Sequence, residues 1–358
     1  MMLVKTEQLV KGCILAKDVK VITNRAIVTK KTILTEKHLE VLEAYLIDSV
    51  EVESVLASGE PFVPNEVPKG KKVQQPKNNF ISIYSKSVQA YKSQYSKWQA
   101  GSTIDYVAVR NVTIQLIEQA LKHEKEVFEV YHYSDEYEYI YHHAVASTLI
   151  SSILAAHLGY EKKDIVQIAI AAFLMDCGMS RIDQRIIQSN SLLNREEFQQ
   201  IKEHPVIGYQ MVSKIPIIQD EIKIAILQHH ERPDKSGYPF GLSSEKIHRY
   251  SKIIAVADVF HAMVCKRKYK AKQSPFKVLE LLQQNTFGKF DLEVVNVLIK
   301  VISHLSVGAK IVLSDGKEAE VTFLEKEYPT RPLIKLKDTG EFIPLKQRLD
   351  LYIDKVIS

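Results

Sequence analysis

Residues 229–239 read HHERPDKSGYP, and the interpretation of the whole chain starts from this stretch. Two adjacent histidines, His229 and His230, stand at the end of an apolar-periodic segment and open a run of residues that favour turns. Imidazole nitrogens bind divalent transition metals, and the helices of a bundle often present such ligands toward a shared interior. The stretch therefore predicts a loop that follows a helix and carries two candidate metal ligands.

Other histidines and aspartates have the same setting. Each lies within or at the end of a segment whose apolar residues recur at helical spacing. They are His142, His143, Asp176, His204 and Asp258. A single histidine in such a segment is usually a satisfied polar residue on a half-buried face. Imidazoles and carboxylates together match the ligands of Zn, Fe, Mn or Ni, so the set favours a metal site.

The composition and the periodicity of apolar residues change several times along the chain, which predicts a mainly α protein in five parts. Four prolines and several lysines between residues 59 and 79 predict a linker, and helical spacing dominates the region that follows. The predicted parts are a small N-terminal α+β module (1–58), the linker (59–79), docking or dimerisation helices (80–135), a helical bundle (136–303) and a small β-rich module (304–358).

The two ends of the chain carry short β-like runs. Residues 17–22 and 26–28 predict a weak hairpin, Thr35 suits the N-cap of a helix over 36–45, and residues 50–52 alternate like a strand. Near the C terminus, Asp315-Gly316 separates two alternating runs. This pair accepts the positive φ of a tight turn, which predicts a second hairpin.

Composition removes several classes of protein. The chain has 358 residues, of which 46% are hydrophobic and 25% charged, as in ordinary globular proteins. A net charge of +5 is too small for its length to indicate DNA binding. The longest strongly apolar run, residues 168–175, is far short of a membrane span. Three separated cysteines and a start without a long apolar segment lead us to expect a cytoplasmic protein without disulfides.

The central region also resembles a known family. Residues 229–239 are similar to the HHExxDGxGYP signature of the HD-GYP family, a branch of the HD phosphohydrolase superfamily. Further segments between residues 136 and 302 resemble other family motifs, in family order. They are His143–Val145 (HSV), Lys202–Gly208 (KxHPxxG), Ile254–Phe260 (from IAVADxFDA), Arg267–Lys270 (RPYR) and Phe290–Asp291 (FDP). The resemblance implies a helical HD-domain bundle, and the flanking modules look like those on HD-GYP proteins of Gram-positive bacteria.

The resemblance also implies a chemistry. In the family this domain hydrolyses cyclic di-GMP at a bi- or trinuclear metal centre, where metals activate a water and clamp the phosphodiester. The implied metal ligands are His143 and Asp258 for one ion, His204, His229 and His230 for the other, and Asp176 as the catalytic bridge. Tyr238 would shape the substrate pocket, and Arg267 and Lys270 would meet phosphate.

Four positions depart from the family pattern. The HDxGK segment reads Met175-Asp176-Cys177-Gly178-Met179, so a thioether replaces a metal histidine and Met179 replaces a phosphate-contacting lysine. Cys177 does not rescue the ligand set, since on a continuous helix it would lie about 200° from Met175. Lys235 stands where the family has glycine, and Tyr139 where some members have a glutamate for a third metal.

These departures predict one tightly held divalent ion (Fe, Mn or Zn) and at most two. We expect binding of cyclic di-GMP or a related nucleotide to persist while hydrolysis is weak or lost. Two alternatives stay open, namely an active cyclic di-GMP phosphodiesterase and a purely structural or interaction domain. Metal analysis tests the last alternative, and an assay for linear product separates the other two.

Further expectations concern partners. The flanking modules suggest a protein partner, and residues 80–135 suggest a homodimer. His157, His248 and His261 are claimed by no family motif, so we expect them to be surface or packing residues.

Overall fold

The structure is a computed structural model. It describes residues 2–20, 26–44, 47, 49–64, 79–134, 136–189, 193–267, 272–284, 286–303 and 305–357. The chain divides into two compact units, Met1–Ser87 and Val88–Ser358. The finer five-part division stays a prediction. Among the described residues, no helix combines the length and the apolarity that a membrane crossing requires.

The first unit is a small α+β fold. Its elements are β1 (Met2–Lys5), β2 (Cys13–Leu15), β3 (Val19–Lys20), β4 (Ala26–Val28), α1 (Glu36–Ala44) and β5 (Ser49–Leu56). β5 pairs antiparallel with both β1 and β2, and β3 pairs with β4 as the predicted hairpin, whose turn lies outside the described residues. Phe62, inside the predicted linker, packs in the core of this unit; residues 65–78 lie outside the described part.

The second unit is mainly helical. Its helices are α2 (Asn79–Gln99, of which residues 88–99 belong to this unit), α3 (Tyr106–Lys122), α4 (Glu124–Val127), α5 (Tyr139–His157), α6 (Lys162–Leu174), α7 (Gln184–Gln188), α8 (Arg195–Ile201), α9 (His204–Ser213), α10 (Asp220–Gln228), α11 (Arg249–Val264), α12 (Pro275–Gln284), α13 (Thr286–Lys289) and α14 (Leu292–Ile302). The fold class is therefore as predicted.

Helix α5 forms the centre of this bundle. Every residue from His142 to Ala155 is buried, because the helix contacts α3, α6 and α11 on different sides. A helix that is apolar all round is typical of such a central position. It ends where Gly159 adopts a φ of +80°, a left-handed conformation that stops helices and that L-residues rarely take.

Aromatic side chains of α2 pack against the bundle. Tyr91, Tyr95 and Trp98 are at most 2% exposed, and the ring of Tyr91 meets that of Phe173 on α6 edge to face at 4.9 Å. Helix α3 packs on both α5 and α6. The role of residues 80–135 as docking or dimerisation helices stays a prediction.

The C-terminal residues form a five-stranded antiparallel sheet with the order β10-β6-β7-β8-β9. Its strands are β6 (Lys310–Leu313), β7 (Glu318–Phe323), β8 (Leu333–Leu336), β9 (Phe342–Pro344) and β10 (Ile353–Ile357). The hairpin predicted from Asp315-Gly316 joins β6 to β7. The sheet is fixed to α12, because Arg331 donates to Glu280 at 2.6 Å in a buried ion pair and also to three backbone carbonyls.

Candidate metal centre

Asp176 reaches the centre because helix α6 ends just before it. The helix stops at Leu174, and a short 3-10 helix, Cys177–Arg181, turns the chain away. Gly178 allows this turn to lie against the start of α9, since a Cβ there would fall 2.1 Å from the carbonyl oxygen of His204. A side chain at that position would force the two segments apart. The close approach explains why Asp176 and His204 are neighbours.

Two histidines of the centre are oriented by backbone carbonyls. His204 opens α9, and its Nδ1 donates to the carbonyl oxygen of Ile201 at 2.7 Å. His229 follows the last residue of α10, and its Nδ1 donates to the carbonyl oxygen of Ile226 at 2.6 Å. A carbonyl can only accept, so the proton of each neutral ring lies on Nδ1 and the lone pair on Nε2. This is the form in which Nε2 binds a metal.

The two lone pairs converge with a carboxylate. Nε2 of His204 lies 3.3 Å from Nε2 of His229, and Oδ1 of Asp176 lies 3.2 Å from the first and 3.8 Å from the second. With His230, these residues place one ligand atom each within 4.8 Å of one another. We name Asp176, His204, His229 and His230 the four-ligand cluster. Hydrogen-bond acceptors that face one another without a proton between them repel. A divalent cation bound between them would remove this repulsion, so these ligand atoms fit a metal ion.

Burial keeps the imidazoles in the form that binds metal. Desolvation lowers the pKa of His229 to about 4, with the neighbouring His204 acting in the same direction. Desolvation also holds the pKa of His230 well below its usual value. Burial would raise the pKa of Asp176, but the nearby His204, His143 and His229 bring it below the ordinary value. At neutral pH the cluster therefore offers the neutral rings of His229 and His230 and the ionised carboxylate of Asp176.

A second group lies beside the four-ligand cluster. Nε2 of His143 is 3.1 Å from Oδ1 of Asp258 and 3.8 Å from Oδ2 of Asp176, while Nδ1 of His230 is 3.6 Å from Oδ2 of Asp258. We name His143 and Asp258 the His143 pair. All six residues predicted as metal ligands thus meet in one place. Their assignment as ligands stays a prediction.

Sequence reasoning missed His261, which we expected to be a surface or packing residue. It is 1% exposed, and its Nδ1 lies 2.9 Å from Nδ1 of His143. Sγ of Cys265 lies 3.3 Å from its Nε2 and 3.8 Å from its Nδ1. The signal was present, since His261 takes the place of the second aspartate of the IAVADxFDA pattern. Burial, followed by the fields of His143 and His142, holds its pKa well below the usual value.

Tyr139 also contacts the His143 pair. Its hydroxyl lies 3.2 Å from Nδ1 of His143, and the two rings stack at 5.0 Å. Burial raises the pKa of Tyr139, so the phenol stays neutral. Arg267 lies over the Tyr139 ring at 5.5 Å, and its Nε is buried without a hydrogen-bond partner in the described part of the chain. Lys270, also predicted to meet phosphate, lies outside the described residues.

The loop of residues 229–239 is organised by Glu231. This carboxylate is 1% exposed and accepts the backbone N–H groups of Phe240 (2.7 Å) and Leu242 (2.9 Å). Gly237 is required by close packing, since a Cβ there would lie 2.3 Å from the nitrogen of Arg232. Lys235 adopts a φ of +66°, and its side chain points to solvent. The lysine therefore strains the backbone but does not enter the site.

Tyr238 and a lysine line the outer side of the cluster. The Tyr238 ring stacks on His230 at 4.7 Å, and the bond to Pro239 is cis. Nζ of Lys202 lies 5.4 Å from the centre of the Tyr238 ring and 5.0 Å from that of Phe198. Sequence reasoning quoted Lys202 only as part of a motif. Its position adds a cation next to the predicted substrate residue Tyr238.

The two methionines lie where the motif comparison put them. Met175 follows α6 directly and is fully buried, and Met179 lies in the 3-10 helix, half-buried. The angle of about 200° expected between Met175 and Cys177 on a continuous helix is wrong, because α6 ends at Leu174 and Cys177 begins a 3-10 helix. Its Sγ faces the carbonyl oxygen of Gly208 at 4.0 Å, and it is not part of the four-ligand cluster.

Comparison with known proteins agrees with this geometry. A family model described as HD domain matches residues 119–294. The chain is 26% identical over 235 residues to the cyclic di-GMP phosphodiesterase PA4108 of Pseudomonas aeruginosa, covering 66% of this chain and 56% of that protein. It is 35% identical over 183 residues to a cyclic di-GMP phosphodiesterase of Thermotoga maritima, covering 49% of each. The chain spans about half the length of the curated relatives it matches.

A solved structure shares the fold. Bd1817, described as an HDG"Y"P protein from Bdellovibrio bacteriovorus, superposes with a TM-score of 0.54 at 14% identity, covering 84% of this chain and 99% of the other. At that identity the match concerns the fold alone. Residues 119–294 of this chain therefore match the HD domain family, and the ordered motifs within them resemble those of its HD-GYP branch.

Proposed function

We propose that this protein binds cyclic di-GMP or a related nucleotide at a metal-containing site, with weak or absent hydrolysis of the phosphodiester. The observation that carries the proposal is the contrast between an intact four-ligand cluster and a buried Met175 in place of a metal histidine. The names of the relatives from Pseudomonas aeruginosa and Thermotoga maritima support cyclic di-GMP as the ligand.

The four-ligand cluster would hold one ion, and His143, Asp258 and the bridging Asp176 would hold a second more loosely. Such ions, when bound, polarise a phosphoryl group and lower the pKa of a bound water. Three nitrogens and a carboxylate suit Fe(II), Mn(II) or Zn(II). The His143 pair with Asp176 offers only three ligand residues, and a thioether at Met175 adds little affinity for these metals.

The chain's own cations and rings would hold the nucleotide. Lys202 and Arg267 are half-buried, lie beside aromatic rings and lack an ion-pair partner among the contacts of the described residues, so a phosphate would find them unneutralised. Tyr238 presents a ring face next to His230, against which a flat base or a sugar would pack. Asp258 and Asp176 carry negative charge that only a bound cation makes compatible with a phosphodiester.

Weak hydrolysis follows from the two methionines. If stabilisation by two metals supplies several kcal/mol of the lowering of the barrier, each ~1.4 kcal/mol that is lost slows the reaction about tenfold. Met179 neither donates a hydrogen bond nor carries charge. Binding needs only one ion and the cations around the pocket, so it survives losses that stop turnover.

Three measurements on the purified full chain test the proposal. Metal analysis should find about one tightly bound transition metal per chain, calorimetry should detect cyclic di-GMP binding, and incubation with Mn(II) or Fe(II) should give little linear product. Absence of bound metal together with absence of nucleotide binding would remove the proposal and leave a structural domain.

A matched pair of variants tests the cause of the weak hydrolysis. Histidine has nearly the volume of methionine, so Met175→His together with Met179→Lys should restore the second ion and raise turnover about 100-fold or more. Met211→His with Lys214→Gln, on α9, serves as a control that should leave turnover unchanged. If the first double variant gains nothing, the defect lies elsewhere.

One observation favours the second candidate, an active cyclic di-GMP phosphodiesterase. Nε2 of His143 lies 3.1 Å from Oδ1 of Asp258 and 3.8 Å from Oδ2 of Asp176, as a second metal would need. Turnover by the unmodified protein, at a rate that Met175→His does not increase, would favour this reading.

A further inference from the structure

The three histidines that face the carboxylates of the centre through Nε2 differ in what holds their other nitrogen. Nδ1 of His204 and Nδ1 of His229 each donate to a carbonyl oxygen, which fixes one tautomer. Nδ1 of His143 instead lies 2.9 Å from Nδ1 of a second imidazole, His261. An imidazole nitrogen can be donor or acceptor, so this contact does not fix where the proton is.

Either nitrogen of this contact can carry the shared proton. In the first arrangement, Nδ1–H of His143 donates to Nδ1 of His261, whose own proton lies on Nε2. In the second, Nδ1–H of His261 donates to Nδ1 of His143, whose own proton lies on Nε2. Each neutral ring carries one proton in both arrangements, so the two interconvert by tautomerisation of both rings without net proton uptake.

Only the first arrangement leaves His143 able to bind a metal through Nε2. In the second, Nε2 of His143 carries the proton and donates it to Oδ1 of Asp258 at 3.1 Å, a charge-assisted hydrogen bond that stabilises this form. The hydroxyl of Tyr139, 3.2 Å from Nδ1 of His143, can donate or accept and so supports either form. Sγ of Cys265 lies 3.3 Å from Nε2 and 3.8 Å from Nδ1 of His261, so the thiol does not select one form.

We propose that His261 is a positioning residue that leaves His143 divided between two tautomers, so that the His143 pair binds its ion less tightly than the four-ligand cluster. Metal ligands are normally backed by a carboxylate or carbonyl that only accepts, and changing such partners alters metal affinity by about 10–100-fold. The inference rests on the metal-binding part of the proposed function. It gives a second cause, besides Met175, for weak metal binding at the His143 pair.

The first test measures tautomers directly and needs neither metal nor nucleotide. In chelator-treated full chain labelled with 15N-histidine, His204 and His229 should show the Nδ1–H form alone. His143 should show the Nε2–H form or exchange between both forms. A single Nδ1–H form at His143, equal to that of His204, overturns the proposal whether or not the protein binds nucleotide.

The second test changes the partner. Oδ of aspartate occupies nearly the position of Nδ1 of histidine, so His261→Asp supplies an acceptor that fixes the metal-binding tautomer. Mn(II) affinity for the weaker site should rise about tenfold, while the tightly bound ion is unaffected. His248→Asp makes the same exchange at the N-cap of the same helix, where aspartate is well tolerated, and should leave Mn(II) affinity unchanged.

The outcomes distinguish the inference from the proposed function. Nucleotide binding with no gain of Mn(II) affinity in His261→Asp refutes the inference and leaves the function. A gain of Mn(II) affinity without any nucleotide binding supports the inference and refutes the proposed nucleotide binding. If His261→Asp does not fold, His261→Asn, whose amide oxygen also accepts, replaces it and carries the same expectation and the same refuting result.

Discussion

The two halves of the centre use the same residue types and differ in how these are held. In the four-ligand cluster, His204 and His229 are each oriented by a backbone carbonyl at 2.7 and 2.6 Å. In the His143 pair, the histidine is oriented by another histidine, and the next ligand position is occupied by Met175. Because hydrogen-bond partners orient metal ligands, we expect the four-ligand cluster to bind a metal ion more tightly than the His143 pair.

The largest expected effect separates the two halves directly. His229→Ala removes one of the fixed nitrogens and should weaken the tightly bound ion by more than about 100-fold. His143→Ala should change the affinity for that ion by less than about threefold, because Asp176 and three histidines remain. Competition with a chromophoric chelator measures both affinities. Equal losses in the two variants would mean that the halves are not independent.

A smaller effect concerns the loop that carries His230 and Tyr238. Glu231→Gln replaces a buried carboxylate that accepts two N–H groups by an amide whose NH2 faces one of them. Unfolding free energy should fall by about 2 kcal/mol, with a parallel loss of nucleotide affinity. Glu203→Gln, at an exposed position, is the control for denaturant titration. An unchanged midpoint in Glu231→Gln would contradict the role of this carboxylate in organising the loop.

The pH dependence of stability tests whether burial in the helical bundle keeps His142 neutral. Desolvation, with a smaller effect of Lys92, lowers the pKa of His142 to about 4. Because the unfolded chain binds this proton near pH 6.5, the stability it contributes is full above that value and is lost as pH falls toward 4.

The expected slope is about 1.4 kcal/mol per pH unit between pH 6 and 5 for this one group. Denaturant titrations of the metal-free protein at several pH values, compared with His142→Asn, isolate the contribution. His157→Gln, on the exposed end of the same helix, is the control. A wild-type curve parallel to that of His142→Asn would show that His142 is not held neutral.

The smallest expected effect concerns Lys235, and its test shows whether this residue lowers the metal affinity of the four-ligand cluster. Its φ of +66° is costly for an L-residue, so Lys235→Gly should stabilise the protein by roughly 1 kcal/mol and leave metal affinity unchanged. Lys214→Gly, where φ is −73°, should not stabilise it. Thermal unfolding measures the first effect and the chelator assay the second. Tighter metal binding in Lys235→Gly would show that the strain does reach the cluster.

Sequence predicted the meeting of the ligands well. Asp176, His204 and the adjacent pair His229-His230 are far apart in the chain but stand in ordered motifs, and the structure brings them together. The helical character of the middle and the β-rich C terminus were equally readable, because both depend on local periodicity and turn residues.

The residues that contact the predicted metal ligands could not be predicted from the sequence. The contact of His143 with His261 joins residues 118 positions apart, and its geometry depends on how α5 and α11 pack. The ending of α6 at Leu174 invalidated an angle computed for a continuous helix. The exposure of Lys235 depends on a backbone conformation that residue type alone does not reveal.

The ion pair of Arg331 with Glu280 restricts how this protein can change over evolution. Replacing Arg331 alone would leave the Glu280 carboxylate buried without its closest cation, at a cost of several kcal/mol. Substitutions at positions 331 and 280 are therefore expected to occur together.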